Sequence, residues 1–155
     1  MGHPLVGVVT PVYNGAAFLA EAIESVLAQS YPHWRYVILD NLSEDDSYAI
    51  AQAYAARDPR ISAARNPAHL PMLANWNAAM ARLPAEAAYC KVLHADDTLL
   101  PRCLELMVGL AEAHPRVVVV GALRRQGEGL GLTGLAPDET VLPGREVGRR
   151  FLLEG

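Results

Sequence analysis

The sequence predicts an α/β domain built on a mainly parallel sheet with helices on both faces. Two observations indicate this fold: short apolar runs rich in β-branched residues recur along the chain, and amphipathic stretches separate them. Strands that alternate with helices of about ten to fifteen residues form right-handed βαβ units with parallel strands. With 155 residues, 52% of them hydrophobic, the chain can bury one sizeable core but is too short for two full domains.

The first two strands and the helix between them follow the N-terminus directly. Residues 5–10 are a β-branched run that Pro11 stops, as in a buried parallel strand, and residues 35–40 predict the second strand. Ser43, with a carboxylate three residues later, is expected to cap a second helix. The first helix is predicted from apolar positions four residues apart, which are Phe18, Ala22 and Val26 beside Leu19, Ile23 and Leu27.

The rest of the predicted sheet follows Asp58-Pro59, which ends the second helix. Residues 60–65 predict a third strand, residues 89–93 a fourth, and Val117–Val120, after Pro115, a fifth. The third and fourth helices are predicted from two apolar stripes, Leu73, Trp76, Met80 and Leu83 in one and Leu104, Met107, Val108 and Ala111 in the other.

The alternation of strands and helices stops after Gly121. We expect residues 1–121 to form one α/β domain, and residues 122–155 to be a glycine-rich loop and the start of an incomplete region. Gly129–Gly134 fits the G-x-G-x-x-G pattern, but a dinucleotide fingerprint joins a strand directly to a helix, and Pro137 and Pro143 follow here instead. We therefore expect a loop.

Composition excludes several classes of protein. Thirteen Lys and Arg against 17 Asp and Glu give a net charge of −4, which disfavours nucleic acid as a partner. No apolar run approaches the roughly 18 residues of a membrane span, so we expect a cytoplasmic protein without a transmembrane segment, either free or peripheral to the inner face of the membrane. Two cysteines, Cys90 and Cys103, cannot form a disulfide framework, and we expect both to be reduced.

Polar residues follow each of the first four predicted strands. Because ligands of open parallel sheets bind outside the carboxyl ends of the strands, these residues are the candidate site. They are Pro11 to Gly15, Asp40 to Ser43, Arg65-Asn66 and His94 to Asp97.

Asp96-Asp97 is the sharpest signal in this set. Two neighbouring carboxylates at the end of a buried strand repel each other unless a cation or protons offset the charge. Mg²⁺ and Mn²⁺ favour such oxygen ligands, often together with phosphate oxygens of a substrate. The alternative is that Asp96 and Asp97 turn the chain and cap the helix that starts near Pro101.

The other candidates also have two interpretations. His94 could ligate the metal or hydrogen-bond a phosphate, or it could be a packing residue at a strand end. Asp40 and Asn41 could read a nucleobase through hydrogen bonds, or form an Asx turn before Ser43. Tyr13 could stack on a base, or belong only to a turn.

Six motifs follow one another between residues 5 and 121: Thr10 to Gly15, Glu21 to Pro32, Asp40 to Asp45, Asp58 to Ile61, Ala74 to Asn77 and His94 to Pro101. In this order they resemble the nucleotide-sugar-binding half of family 2 glycosyltransferases of the GT-A fold.

The resemblance implies an enzyme that moves a sugar from a nucleoside diphosphate to an acceptor, usually with inversion. By this analogy the nucleotide-sugar is bound by Pro11, Tyr13, Asp40, Asn41, Asn75, His94 and Asp96, and Mn²⁺ or Mg²⁺ by Asp96 and Asp97. A UDP-sugar or dTDP-sugar is the favoured donor. The acceptor is open: a glycan, a lipid or a protein. His94 and Asn41 stand where the family often has aspartates.

Two alternatives to a glycosyltransferase remain at this point: a chain that binds a nucleotide-sugar without catalysis, and a nucleotidyltransferase. The general base and the acceptor-binding half are expected beyond Gly155, so the chain could bind a nucleotide-sugar without turnover. A nucleotidyltransferase is disfavoured, because it needs a glycine-rich basic loop after the first strand, and Pro11 to Asn14 lack that chemistry.

Overall fold

The structure, a computed structural model, describes residues 3–122, 124–127, 129–131 and 142–147. The chain divides into two compact units, Met1–Gly109 and Leu110–Gly155. The helix α4 (Cys103–Ala113) crosses this boundary.

Four parallel strands form the sheet of the first unit in the order β3-β2-β1-β4. The strands are β1 (Val6–Val12), β2 (Trp34–Asp40), β3 (Ile61–Arg65) and β4 (Tyr89–Val92). The helices between them are α1 (Ala16–Leu27), α2 (Ser47–Arg57) and α3 (Met72–Met80). The predicted α/β class with a parallel sheet is confirmed.

The alternation of side chains along the strands builds a core on each face of the sheet. On one face Val8 and Tyr36 pack with Leu19 and Ile23 of α1. On the other face Val9, Val37 and Leu39 pack with Ala79 of α3. Burying a side chain of this size contributes about 1.5–3 kcal/mol, so both helical layers are held mainly by apolar contact.

Three predictions about local structure are wrong. Ser43 does not cap α2, which begins at Ser47; its Oγ instead accepts the backbone N–H of Asn14 at 2.9 Å. On α3 the buried residues are Asn75 and Ala79, while Leu73 of the predicted stripe is 67% exposed. Hydrogen bonds compensate the burial of Asn75, and a hydrophobic pattern cannot detect them. The third wrong prediction is Phe18, which was expected on the apolar face of α1 and is exposed.

The fifth predicted strand is also wrong. Val117–Val120 belongs to no strand, and Val118 and Val119 are exposed. A β-branched run becomes a strand only where another strand completes its ladder of hydrogen bonds. In the second unit, β5 (Arg124–Gln126) pairs with β6 (Gly129–Gly131) in an antiparallel hairpin, where we expected only a loop. Gly127, at φ 58°, makes this turn; residues 132–134 lie outside the described part.

In the described part of the chain, no helix has both the length and the apolar character needed to cross a bilayer. Cys90 and Cys103 are free thiols.

Candidate functional site

The register of the sheet aligns the carboxyl ends of three strands. Val12 of β1 is level with Asp40 of β2, and Asp40 is level with Arg65 of β3. On the other side of β1, the backbone N–H of Leu93 bonds to Val9 at 3.0 Å, so His94 emerges at the same edge. The predicted residues after the strands are thus neighbours.

Asp40 is fully buried, and its two carboxylate oxygens differ. Oδ2 accepts the Nε–H of Arg65 at 2.6 Å and the backbone N–H of Ser43 at 3.1 Å. Oδ1 is buried and has no hydrogen-bond partner among the described residues. An unpaired buried acceptor costs about 1–3 kcal/mol, so this oxygen is a candidate contact for a ligand N–H.

Three buried asparagines form an amide network beside Asp40. The amide of Asn66 donates to Oδ1 of Asn41 at 2.9 Å and to Oδ1 of Asn75 at 2.8 Å. Asn41 also exchanges hydrogen bonds with the backbone of Leu70, at 2.8 and 3.0 Å. The network joins β2, β3 and α3, and it uses the side-chain oxygens of Asn41 and Asn75 within the protein.

Two aromatic pairs lie on the loops of this edge. Tyr13 packs edge-on against His69, with ring centroids 4.5 Å apart, and Trp76 of α3 lies 4.9 Å from His94. Tyr13 is 48% exposed and His94 is exposed, whereas Pro11 is half-buried. The exposed rings offer flat surfaces on which a ligand ring could stack.

The N-terminus of α1 is already capped by the loop between β2 and α2. The backbone N–H groups of Asn14, Gly15 and Ala16 donate to Ser43 Oγ, Ser47 Oγ and Asp45 Oδ2, each at 2.9 Å. These three N–H groups are therefore already bonded within the protein and are not offered to a phosphate.

Asp96 and Asp97 are exposed, and their carboxylates make no hydrogen bond or ion pair with the described residues. The backbone N–H of Asp97 bonds to the carbonyl of His94 at 3.1 Å, which turns the chain. The described residues contain no cluster of three or more His, Cys, Asp or Glu side chains. The free carboxylate oxygens suit a hard cation, provided that a ligand supplies further oxygens.

The loop after these aspartates is fixed to the end of α1. The amide of Gln29 donates to the carbonyl of Leu100 at 2.8 Å and accepts the N–H of Leu104 at 3.0 Å. Ser25 Oγ accepts the N–H of Leu99 at 3.1 Å. Asp96 and Asp97 thus precede a well-anchored segment.

The sequence did not assign roles to Arg65 and Asn66, although it places them after the third strand. The structure brings Arg65 onto Asp40 and Asn66 between Asn41 and Asn75. The signal in the sequence was the charge of Arg65: a cation at the end of one predicted strand is a natural partner for Asp40, the carboxylate at the end of another.

Comparison with known proteins identifies relatives among glycosyltransferases. The putative glycosyltransferase EpsE of Bacillus subtilis is 36% identical over 119 residues, which cover 76% of this chain and 42% of EpsE. The putative teichuronic acid biosynthesis glycosyltransferase TuaG of the same organism is 38% identical over 99 residues, 61% of this chain and 36% of TuaG. The chain spans less than half the length of these relatives.

Solved structures share the fold. The Staphylococcus aureus TarS 1–349 complex with UDP superposes with a TM-score of 0.71 at 19% identity, covering 83% of this chain and 38% of TarS 1–349. The mannosyltransferase PcManGT of Pyrobaculum calidifontis, in complex with GDP-Man and Mn²⁺, gives 0.61 at 20% identity, covering 72% and 32%. The GT-A fold is confirmed.

The family model described as Glycosyl transferase family 2 matches residues 7–153, which is nearly the whole chain. The resemblance read from the motifs is thereby confirmed: the chain belongs to glycosyl transferase family 2.

Proposed function

We propose that this chain is the donor-binding part of an enzyme that transfers a sugar from a nucleoside diphosphate to an acceptor, with inversion at the anomeric carbon. The observation that carries the proposal is Asp40 at the carboxyl edge of the sheet, whose buried Oδ1 bonds to none of the residues that the structure describes. Family membership supports the reaction class. The relatives TarS and PcManGT, solved with UDP and with GDP-Man, support a nucleotide ligand.

The nucleoside would bind between the ends of β1 and β2. Oδ1 of Asp40 would accept the ring N–H of uracil or thymine, which favours a UDP-sugar or dTDP-sugar. Because Oδ1 is covered by the protein, binding requires neighbouring side chains to shift. Pro11 and the exposed ring of Tyr13 would contact the base and ribose, while Asn41 and Asn75 hold the surrounding loops through Asn66.

The diphosphate would lie toward His94, Asp96 and Asp97. The two carboxylates would hold Mn²⁺ or Mg²⁺ together with the diphosphate oxygens, and the bound cation would offset the negative charge that develops on the leaving group. His94, set against Trp76, would donate a hydrogen bond to a phosphate oxygen. Gln29 and Ser25 would keep the loop after the aspartates in place.

Calorimetric titration of the chain with UDP, with and without Mn²⁺, tests the proposal. We expect UDP to bind, and to bind at least about tenfold more tightly with Mn²⁺, since a bridging cation removes repulsion between carboxylates and diphosphate. ADP is the control, because its base has no ring N–H for Asp40. An equal affinity for UDP and ADP without any effect of Mn²⁺ would contradict the proposal.

A further inference from the structure

Arg65 at the end of β3 is fixed in three directions. Its Nε donates to Asp40 Oδ2 at 2.6 Å, and its Nη2 donates to the carbonyl of Ser43 at 3.1 Å. The guanidinium lies over the ring of Tyr48, 4.5 Å from the centroid. A planar guanidinium held by an ion pair, a carbonyl and an aromatic ring has little freedom to rotate.

This arrangement determines which oxygen of Asp40 is free. The side chain of Asp40 is 0% exposed, so its charge depends on a counter-charge, and Arg65 supplies it. In the described part of the chain, two N–H groups reach the carboxylate and both bind Oδ2, which leaves Oδ1 without a partner there. Arg65 therefore makes the two oxygens of Asp40 different: Oδ2 is bonded within the protein, and Oδ1 can accept a hydrogen bond from a ligand.

We propose that Arg65 is a positioning residue that sets base specificity, an inference that rests on the proposed function. By occupying Oδ2, Arg65 leaves Oδ1 as the carboxylate oxygen that can accept an N–H from the base. Such an acceptor suits the N3–H of uracil and repels N3 of cytosine, which is itself an acceptor. Without the guanidinium of Arg65, the carboxylate is no longer held with Oδ1 toward the base, so the discrimination between the N3–H of uracil and the N3 acceptor of cytosine weakens.

The test compares UDP and CDP affinities, by calorimetry at fixed Mn²⁺, for the wild type and Arg65→Gln. We expect the wild type to prefer UDP by about tenfold or more. Arg65→Gln should reduce this ratio at least about fivefold, with UDP affinity falling and CDP affinity not falling with it. A purely structural role would weaken both nucleotides alike.

Arg60→Gln is the matched control. Arg60 precedes the other end of β3, pairs with Asp58 at 2.7 Å and lies over the ring of Trp34 at 3.8 Å. Arg60→Gln therefore removes one positive charge from an ion pair and an aromatic contact, as Arg65→Gln does, but at the opposite end of β3 from Asp40. We expect its ratio of UDP to CDP affinity to equal that of the wild type.

A second variant keeps the proposal testable if Arg65→Gln does not fold. In Asp40→Asn, Arg65 should hold the amide oxygen and turn the NH₂ toward the base, so that CDP becomes the preferred ligand. An unchanged affinity ratio in folded Arg65→Gln, or in Asp40→Asn, overturns the role of Arg65. Equal affinity of the wild type for UDP and CDP overturns this inference but leaves the proposed function standing. A wild type that binds neither nucleotide overturns the proposed function as well.

Discussion

Gly15, in the loop after β1, packs so closely against Ala95, in the loop after β4, that no side chain fits between them. A Cβ on Gly15 would lie 3.2 Å from the Cβ of Ala95 and 2.8 Å from Cγ2 of Val12. The φ of Gly15 is −109°, which other residues adopt freely, so the requirement for glycine is one of space. The loop that carries Tyr13 and the loop that carries Asp96 are thus in direct contact.

Gly15→Ala should force these two loops apart. We expect a loss of about 1–3 kcal/mol in the free energy of unfolding, because the added methyl group overpacks the contact with Val12 and Ala95. Urea denaturation measures the loss. Gly109→Ala is the control, since a Cβ on this glycine of α4 meets nothing within 4 Å and alanine is the better helix former by about 0.5–1 kcal/mol. Equal stability of the two variants would contradict close packing at Gly15.

The amide network predicts a large effect at Asn66. Asn66→Asp replaces an NH₂ that donates to two oxygens with an acceptor that faces Asn41 and Asn75. We expect a loss of about 2–4 kcal/mol, since the two bonds are lost and buried acceptors face one another. Asn77→Asp, on the exposed side of α3, should change stability by no more than about 0.5 kcal/mol. Thermal denaturation of both variants measures the difference, and equal midpoint temperatures for Asn66→Asp and Asn77→Asp would contradict the network.

The four parallel strands could be predicted from sequence because each is a short apolar run between helical patterns. The same reasoning failed at Val117–Val120, where the composition suits a strand but no described strand pairs with it. The apolar pattern of a segment shows only that its side chains can be buried. Whether a partner strand lies beside it depends on the rest of the fold.

The candidate site was predictable in position but not in its internal contacts. Asp40 and Asp96 could be placed at one edge because parallel strands end together. The pairing of Arg65 with Asp40 depends on the register of β3 against β2 and on the reach of one side chain, which no local pattern encodes. The burial of Asn75 on α3 depends on its hydrogen bond with Asn66, which an apolar pattern does not encode.

The exposed carboxylates predict a metal effect that is separate from stability. Asp96→Asn and Asp97→Asn should each abolish most of the gain in UDP affinity that Mn²⁺ provides, because a neutral amide is a weaker ligand for a hard cation. Their free energies of unfolding should stay within about 0.5 kcal/mol of the wild type, because neither carboxylate is bonded to the described residues. Titration of UDP at several Mn²⁺ concentrations checks this, with Asp46→Asn as the control. A full Mn²⁺ effect in both variants would mean that the aspartates only turn the chain.

Tyr36 predicts how stability changes at high pH. Its hydroxyl lies 2.7 Å from Thr10 Oγ1, which donates its own hydrogen to the carbonyl of Leu93, so Tyr36 is the donor of the pair. Burial raises the pKa of Tyr36 well above its ordinary value of 10.0. The folded chain therefore keeps a proton that the unfolded chain releases above that value.

The sign of the effect follows from this difference in bound protons. Below pH 10.0 the contribution of Tyr36 is fully present, and as the pH rises further it is lost by up to about 1.4 kcal/mol per pH unit. Tyr36→Phe should cost about 1 kcal/mol at pH 8, because the bond to Thr10 is lost. Above pH 10.0 the variant should lose less stability than the wild type, so the gap closes and then reverses. Urea denaturation of both proteins between pH 8 and pH 11 measures the gap, and a gap that does not change with pH would show that Tyr36 ionises as readily in the folded chain as in the unfolded one.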